Sequence, residues 1–153
     1  MSSDEVRALL DERALKTLCL DYGFHADARD GESFSKLFTS DAVLEGSGLR
    51  FDTPEALRAV PNRLSAYRKT YHLIHNLYLE LNGDEATGIV YSCSHHLKDN
   101  ADGTLCDIVM YITYHDRYFR QPGGWKFGIR KLVLEFSEEK IVAGSTKVPN
   151  SQN

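Results

Sequence analysis

The sequence predicts an α+β fold in which three helices cover one face of a strongly curved, mostly antiparallel sheet. Three observations lead there. Apolar residues recur at helical spacing early in the chain, the period changes to two from Tyr71 onward, and turn signals then cut the strand-like region into long pieces. Helices followed by a meander of strands is the order of an α+β architecture. A curved sheet crossed by helices makes a cone-shaped, barrel-like body that can enclose a ligand.

Each element has a local reason. Ser2-x-x-Glu5 has the capping-box pattern, and Val6, Leu9, Leu10, Ala14, Leu18 and Tyr22 follow at helical spacing. A helix is therefore expected from about 4 to 27, ending before Gly31. A short second helix fits Glu32 to Phe38, with Phe34, Leu37 and Phe38 as its apolar stripe. Ala42 to Glu45 reads as a brief strand and Gly46-Ser47-Gly48 as a turn. Thr53 and Pro54 suit the N-cap and first residue of a third helix, which Pro61 should kink or interrupt before Tyr67.

Strands are expected over His72 to Leu81, Ala86 to Leu97, Leu105 to Arg120 and Trp125 to Phe136. The turns between them are Asn82-Gly83-Asp84, Asn100 to Gly103 and Pro122-Gly123-Gly124. From Ser137 to Asn153 no period is convincing, and an extended or disordered tail is expected.

Composition narrows the functional classes. At 153 residues the chain is expected to be one domain spanning 1–153, large enough to bury a core. A net charge of −4 and a pI near 5.8 argue against nucleic acid, which selects a basic surface. No apolar run approaches the roughly 20 residues of a membrane span, and Met1 to Glu5 lacks the basic and apolar regions of a signal peptide. Cys19, Cys93 and Cys106 are odd in number and lack CxxC spacing, so reduced thiols and a cytoplasmic location are expected. There is no phosphate loop, no GxSxG elbow, and no set of histidines that would converge on a metal. Neither cofactor nor metal is expected.

Two stretches carry the chemistry. Tyr22-Gly-Phe-His-Ala-Asp27 closes the first helix, and Tyr71-His-Leu-Ile-His-Asn76 opens the strand region. A carboxylate at a helix end and a histidine on a later strand can meet in a cavity as an acid–base dyad. His72 and His75 are three apart, so on a regular strand they project to opposite faces. The period-two partners of His72 are Ile74, Asn76 and Tyr78, and those of His75 are Leu73, Leu77 and Leu79. The mixed face suits a site and the leucine face suits packing. His95 and His96 likewise diverge. Tyr22 precedes Asp27 by five residues, about 140° around an ideal helix, so the two share a cavity only if the helix frays or bends. Tyr111, His115 and Arg130 lie on strands whose register the sequence leaves open.

The succession of Tyr22-x₄-Asp27, Leu37-Phe-Thr-Ser-Asp-Ala42, His72-x₃-Asn76 and Gly123-x-Trp-Lys-Phe127 resembles the SnoaL-like group of the nuclear-transport-factor-2-like superfamily, over residues from about 8 to 135. The resemblance implies a cone-shaped fold and a small hydrophobic organic ligand. It also implies roles by comparison with scytalone dehydratases and hexachlorocyclohexane dehydrochlorinases. Asp27 would orient and charge a catalytic His72, and His96 would be the second catalytic histidine of the scytalone dehydratases; by comparison with bile-acid dehydratase-like members, Tyr22 would polarise a substrate carbonyl. The expected activity is that of a cofactor-independent lyase, a dehydratase acting on a cyclic or polyketide- or steroid-like hydroxy-carbonyl compound. An isomerase or cyclase with the same dyad is the alternative, as is a non-catalytic binding or association domain with Asp27 and His72 as a structural pair. A homo-oligomer, dimer or trimer, is expected.

Overall fold

The computed structural model describes residues 1–143. Three α-helices, α1 (Ser3–Ala28), α2 (Gly31–Lys36) and α3 (Pro54–Arg63), lie against one six-stranded sheet. The strands are β1 (Phe38–Gly46), β2 (Leu49–Phe51), β3 (Lys69–Asn82), β4 (Glu85–Asp99), β5 (Leu105–Gln121) and β6 (Gly124–Val142), in the order β2-β1-β6-β5-β4-β3. β3 to β6 form an antiparallel meander, and β1 pairs parallel with β6. The sheet is thus mixed and curls around the helices without closing, since β2 and β3 remain separate edges.

Helix α1 begins as its sequence dictates. The Ser2 side chain accepts from the Glu5 N–H at 3.2 Å, and the Glu5 carboxylate accepts from the Ser2 N–H at 2.7 Å. The buried stripe is Leu15, Leu18, Cys19, Tyr22, Gly23 and Ala26. Val6, Leu9 and Leu10, expected on that stripe, are exposed because only the second half of the helix crosses the sheet. The helix stays regular to Ala28 and ends at Arg29 in the left-handed conformation, φ 59°.

Four boundaries differ from expectation. α2 stops at Lys36 and Phe38 already opens β1, because the Leu37 carbonyl accepts from Phe127 of β6 at 2.9 Å. Pro61 neither kinks nor ends α3: it sits buried in the last turns, and the helix runs on to Arg63 before a single 3₁₀ turn over Leu64–Ala66. Leu49–Phe51, which carry no strand period, are recruited by β1. β6 continues past Phe136 to Val142, pairing with Leu105 to Met110; both faces are solvated there, so no two-residue period was available to announce it. The rest of the expected tail lies outside the described residues.

One irregularity reorganises the cavity wall. The β3–β4 register shifts between Ile74 and Leu77, so His75 and Asn76 together occupy a bulge. His72 and Ile74 face inward, and after the bulge Leu77, Leu79 and Leu81 do so too. Leu73, His75, Asn76 and Tyr78 are exposed. The expected division into a mixed polar face and a leucine face is therefore wrong beyond Ile74, because the extra residue moves each later side chain to the other face.

The core lies between α1, α2, α3 and the inner face of β1, β4, β5 and β6. Leu15, Phe34, Leu57, Val90 and Phe127 are essentially fully buried there, and each contributes roughly 1.5–3 kcal/mol of transfer free energy.

Candidate active site

A cavity of about 240 Å³ opens between α1, the end of α3 and the inner face of the sheet. It is somewhat smaller than ordinary ligand pockets. Its walls are mostly apolar: Leu44, Phe51, Val60, Met110, Ile112 and Leu132 are among them. His72, His96, Tyr22, Tyr67 and Tyr114 bring polar atoms to it, and Glu45, Ser47 and Arg63 do so on the side of the β1–β2 turn.

Asp27 and His72 meet beside this cavity. Asp27 is the penultimate residue of α1, and β3 passes the helix end there. His72 Nδ1 lies 2.7 Å from Asp27 Oδ1, and the His72 backbone N–H donates to Oδ2 at 2.8 Å. Thr70, two residues earlier on the same face, donates its hydroxyl to Oδ1 at 2.7 Å. Asp27 itself is not part of the cavity wall; it stands behind His72 and fixes it. With Nδ1–H given to the carboxylate, a neutral His72 keeps its lone pair on Nε2, the nitrogen left free. Burial pushes the Asp27 carboxyl up, but the His72 ring, the His72 N–H and Thr70 outweigh it, and its pKa is lowered.

The sequence did not disclose what holds this pair. Gly23 lets α1 approach β3 closely: a Cβ there would lie 3.1 Å from both His72 Cβ and the His72 carbonyl. Arg29 donates to the Thr70 hydroxyl at 2.7 Å, to the Leu64 carbonyl at 2.8 Å and to the Ala26 carbonyl at 2.9 Å. It thereby ties the helix end, the Asp27–Thr70 contact and the turn leading to Tyr67. Its left-handed backbone is a conformation that residues other than glycine seldom adopt, and these bonds hold it there.

His96 comes from β4, its ring 5.8 Å from the His72 ring and 4.8 Å from that of Tyr67. It is buried, and its Nδ1 lies 3.3 Å from the Ile108 carbonyl. A carbonyl only accepts, so Nδ1 carries the hydrogen and a neutral His96 has Nε2 as an acceptor. Burial, then the neighbouring His72, lowers its pKa, which keeps it neutral near pH 7. His95 faces the other side of the sheet and pairs there with Asp107, Nδ1 to Oδ2 2.7 Å.

Tyr22 and Asp27 do not share a wall, and α1 does not bend to bring them together. Tyr22 reaches the cavity from one side of the regular helix, while Asp27 supports His72 from another. Behind Tyr22 lies Arg130, fully buried, its guanidinium carbon 3.8 to 4.4 Å from the ring centres of Tyr114, Tyr22 and Phe127. Asp116, 3.5 Å from Arg130 Nε, is its counter-charge and accepts the Tyr118 hydroxyl at 2.7 Å. Burial raises the Tyr22 pKa, with the Arg130 charge opposing. Of the three residues whose register was open, only Arg130 points inward. Tyr111 stacks on Phe136 outside, and His115 is exposed.

Among the described residues no group of three or more His, Cys, Asp or Glu side chains could hold a metal ion, and no helix is long and apolar enough to cross a membrane.

Similarity to known proteins agrees with this architecture. No protein of curated function matches the chain. Solved structures do. A Mycobacterium tuberculosis protein of unknown function is 26% identical, covering 88% of this chain and 77% of its own, with a TM-score of 0.77. A candidate scytalone dehydratase from Novosphingobium aromaticivorans is 20% identical, covering 95% and 97%, with a TM-score of 0.77. A hexachlorocyclohexane dehydrochlorinase is 22% identical, covering 97% and 99%, again with a TM-score of 0.77. At identities of 20% and 22% the latter two attest the fold, which is the cone-shaped one expected. The model of the SnoaL-like domain matches residues 7–131, most of the chain. The chain belongs to the SnoaL-like domain family.

Proposed function

We propose that this protein is a cofactor-independent lyase, a dehydratase that uses Asp27 and His72 to move a proton on a hydroxy-carbonyl substrate held in the apolar cavity. The observation that carries the reading is the 2.7 Å contact of His72 Nδ1 with Asp27, which leaves Nε2 as the free nitrogen of a cavity-lining ring. Names among similar structures, a candidate scytalone dehydratase and a dehydrochlorinase, belong to the same class of elimination chemistry.

The neutral His72 takes the proton on the carbon next to the carbonyl, and Asp27 stabilises the imidazolium that forms. Negative charge develops on the carbonyl oxygen and is met by a hydroxyl of Tyr22 or Tyr114, both on the cavity wall. The enolate then expels the β-hydroxyl. The C–O bond breaks, a C=C bond forms, and the leaving oxygen receives the proton from His72 Nε2 and departs as water. Nothing is oxidised or reduced, and His72 returns to its neutral form. His96, whose Nδ1 hydrogen is committed to Ile108, accepts a hydrogen bond from the hydroxyl and orients it.

The free Nε2 of His72, able to return a proton as well as take one, supports a second reading. A substrate without a leaving group would have its proton returned to a different carbon, giving double-bond isomerisation. Incubating the protein in deuterium oxide with a panel of cyclic β-hydroxy ketones separates the two. Exchange at the acidic carbon together with loss of water is expected. Exchange without elimination indicates the isomerase, and full activity in His72→Ala overturns both.

A further inference from the structure

Arg63 is the last residue of α3 and lies on the cavity wall, on the flank of the β1–β2 turn. His72 and His96 line the same cavity from β3 and β4, at the other end of the strand order from β2, which carries Phe51. The Arg63 guanidinium sits 5.6 Å from the ring centre of Phe51, itself a wall residue, so the charge is held against the rim of an apolar chamber. It bonds to no carboxylate among the described residues. The other charges on that rim are engaged. Glu45 takes Arg50 at 2.8 Å, and Arg50 Nε takes Asp52 at 3.0 Å. Most other arginines of the chain have acidic or carbonyl partners, Arg58 with Glu32, Arg68 with Asp99 and Arg120 with Asp11 among them.

We propose that Arg63 is a specificity residue and that the substrate carries a carboxylate at the end remote from its reacting carbon. This rests on the reading of the cavity as the reaction site. A planar guanidinium matches a carboxylate with two parallel N–H donors, and Phe51 limits the orientations the fork can take. The apolar middle of the cavity then holds the ring or chain between the two ends. One polar end meets the dyad and the other meets Arg63, which fixes the direction in which the substrate enters.

The test uses the whole chain and two probes of equal shape, 4-cyclohexylbutanoate and its neutral amide. Binding is followed by the NMR shifts of the His72 and His96 ring protons. The acid should bind the wild type about three- to fivefold more tightly than the amide, the range for an ion pair open to water. Raising the ionic strength should shrink that preference. Arg63→Gln should abolish it while leaving amide affinity unchanged, and Arg63→Lys should restore part of it. Equal binding of acid and amide by the wild type, a preference that survives in Arg63→Gln, or no shift at either histidine would overturn the proposal. His72→Ala separates the two ideas. Its full activity would defeat the dyad reading while leaving an Arg63-dependent acid preference standing, and an inactive His72→Ala protein with no such preference would defeat only the assignment of Arg63.

Discussion

Both carboxylate oxygens of Asp27 engage His72: Oδ1 faces its ring nitrogen at 2.7 Å and Oδ2 receives its backbone N–H at 2.8 Å. Ring and backbone are thus fixed by the same group, which sets the tautomer and the position of Nε2 together. An asparagine offers one oxygen where two are used. Asp27→Asn should lose about 10²-fold in rate, less than His72→Ala, for which up to about 10⁴ is expected from loss of the base. The proton-exchange rate of each purified variant, with its circular dichroism spectrum as a control for folding, checks the order.

Gly23 makes a second, independent claim on the same histidine. Alanine in a helix interior is favoured over glycine by roughly 0.5–1 kcal/mol. Here its Cβ would stand 3.1 Å from His72 Cβ and carbonyl, so β3 must yield by a few tenths of an ångström. Gly23→Ala should therefore keep its melting temperature within a few degrees of wild type while losing about tenfold in rate, since small misplacements of a catalytic group are costly. Unchanged activity would show that the approach of α1 to His72 is not constrained.

These two residues mark where legibility in the sequence ends. The helix-then-meander order, the capping box at Ser2 and Glu5, and the turn signals at Gly83, Gly103 and Gly124 are local, and the architecture followed from them. The inward side of β3 at His72 came from the resemblance, since Asn76 and Tyr78, which made its face look mixed, are exposed. Beyond Ile74 it was not legible, because a bulge depends on the partner strand and has no signature in His75-Asn76 itself. Arg29 and Thr70 were invisible for the same reason: they contact each other across 41 positions, and nothing near either hints at the other. Arg130 and Tyr114 required the register of β5 against β6, with bulges after Tyr111 and Arg117, which alternation alone does not provide.

His96 gives a pH dependence of stability. Burial lowers its pKa below the ordinary 6.5, so the unfolded chain binds that proton more readily than the folded one. The contribution of neutral His96 is complete above about pH 6.5 and is lost as the pH falls toward the folded value. Urea unfolding should show stability falling from pH 7.5 to pH 5, and His96→Asn should flatten part of that slope. An identical slope in the variant would assign the dependence to other groups.

Arg130 and Asp116 form a fully buried pair. Removing one partner leaves the other charged and unmatched, which costs about 3–5 kcal/mol. Arg130→Met should destabilise by that amount, and adding Asp116→Asn should recover a good part, because replacing both members is far less damaging than replacing one. Denaturant midpoints for the two single variants and the double variant test the coupling. Additive losses would mean that the two charges do not support one another.

Thr70 offers the sharpest test of how Asp27 is kept ionised. Burial opposes its charge, while the His72 ring, the His72 N–H and the Thr70 hydroxyl favour it, with a net lowering of its pKa. Thr70→Val preserves the shape of a fully buried side chain and removes only the hydroxyl. The Asp27 carboxyl should then titrate at a higher pH. NMR of the aspartate carboxyl carbons follows that titration directly, with the Asp27→Asn protein identifying the resonance. Its midpoint should move upward in Thr70→Val, with the rate at neutral pH reduced by no more than about tenfold. A midpoint that stays in place in Thr70→Val would mean that the hydroxyl does not share in holding the charge on Asp27.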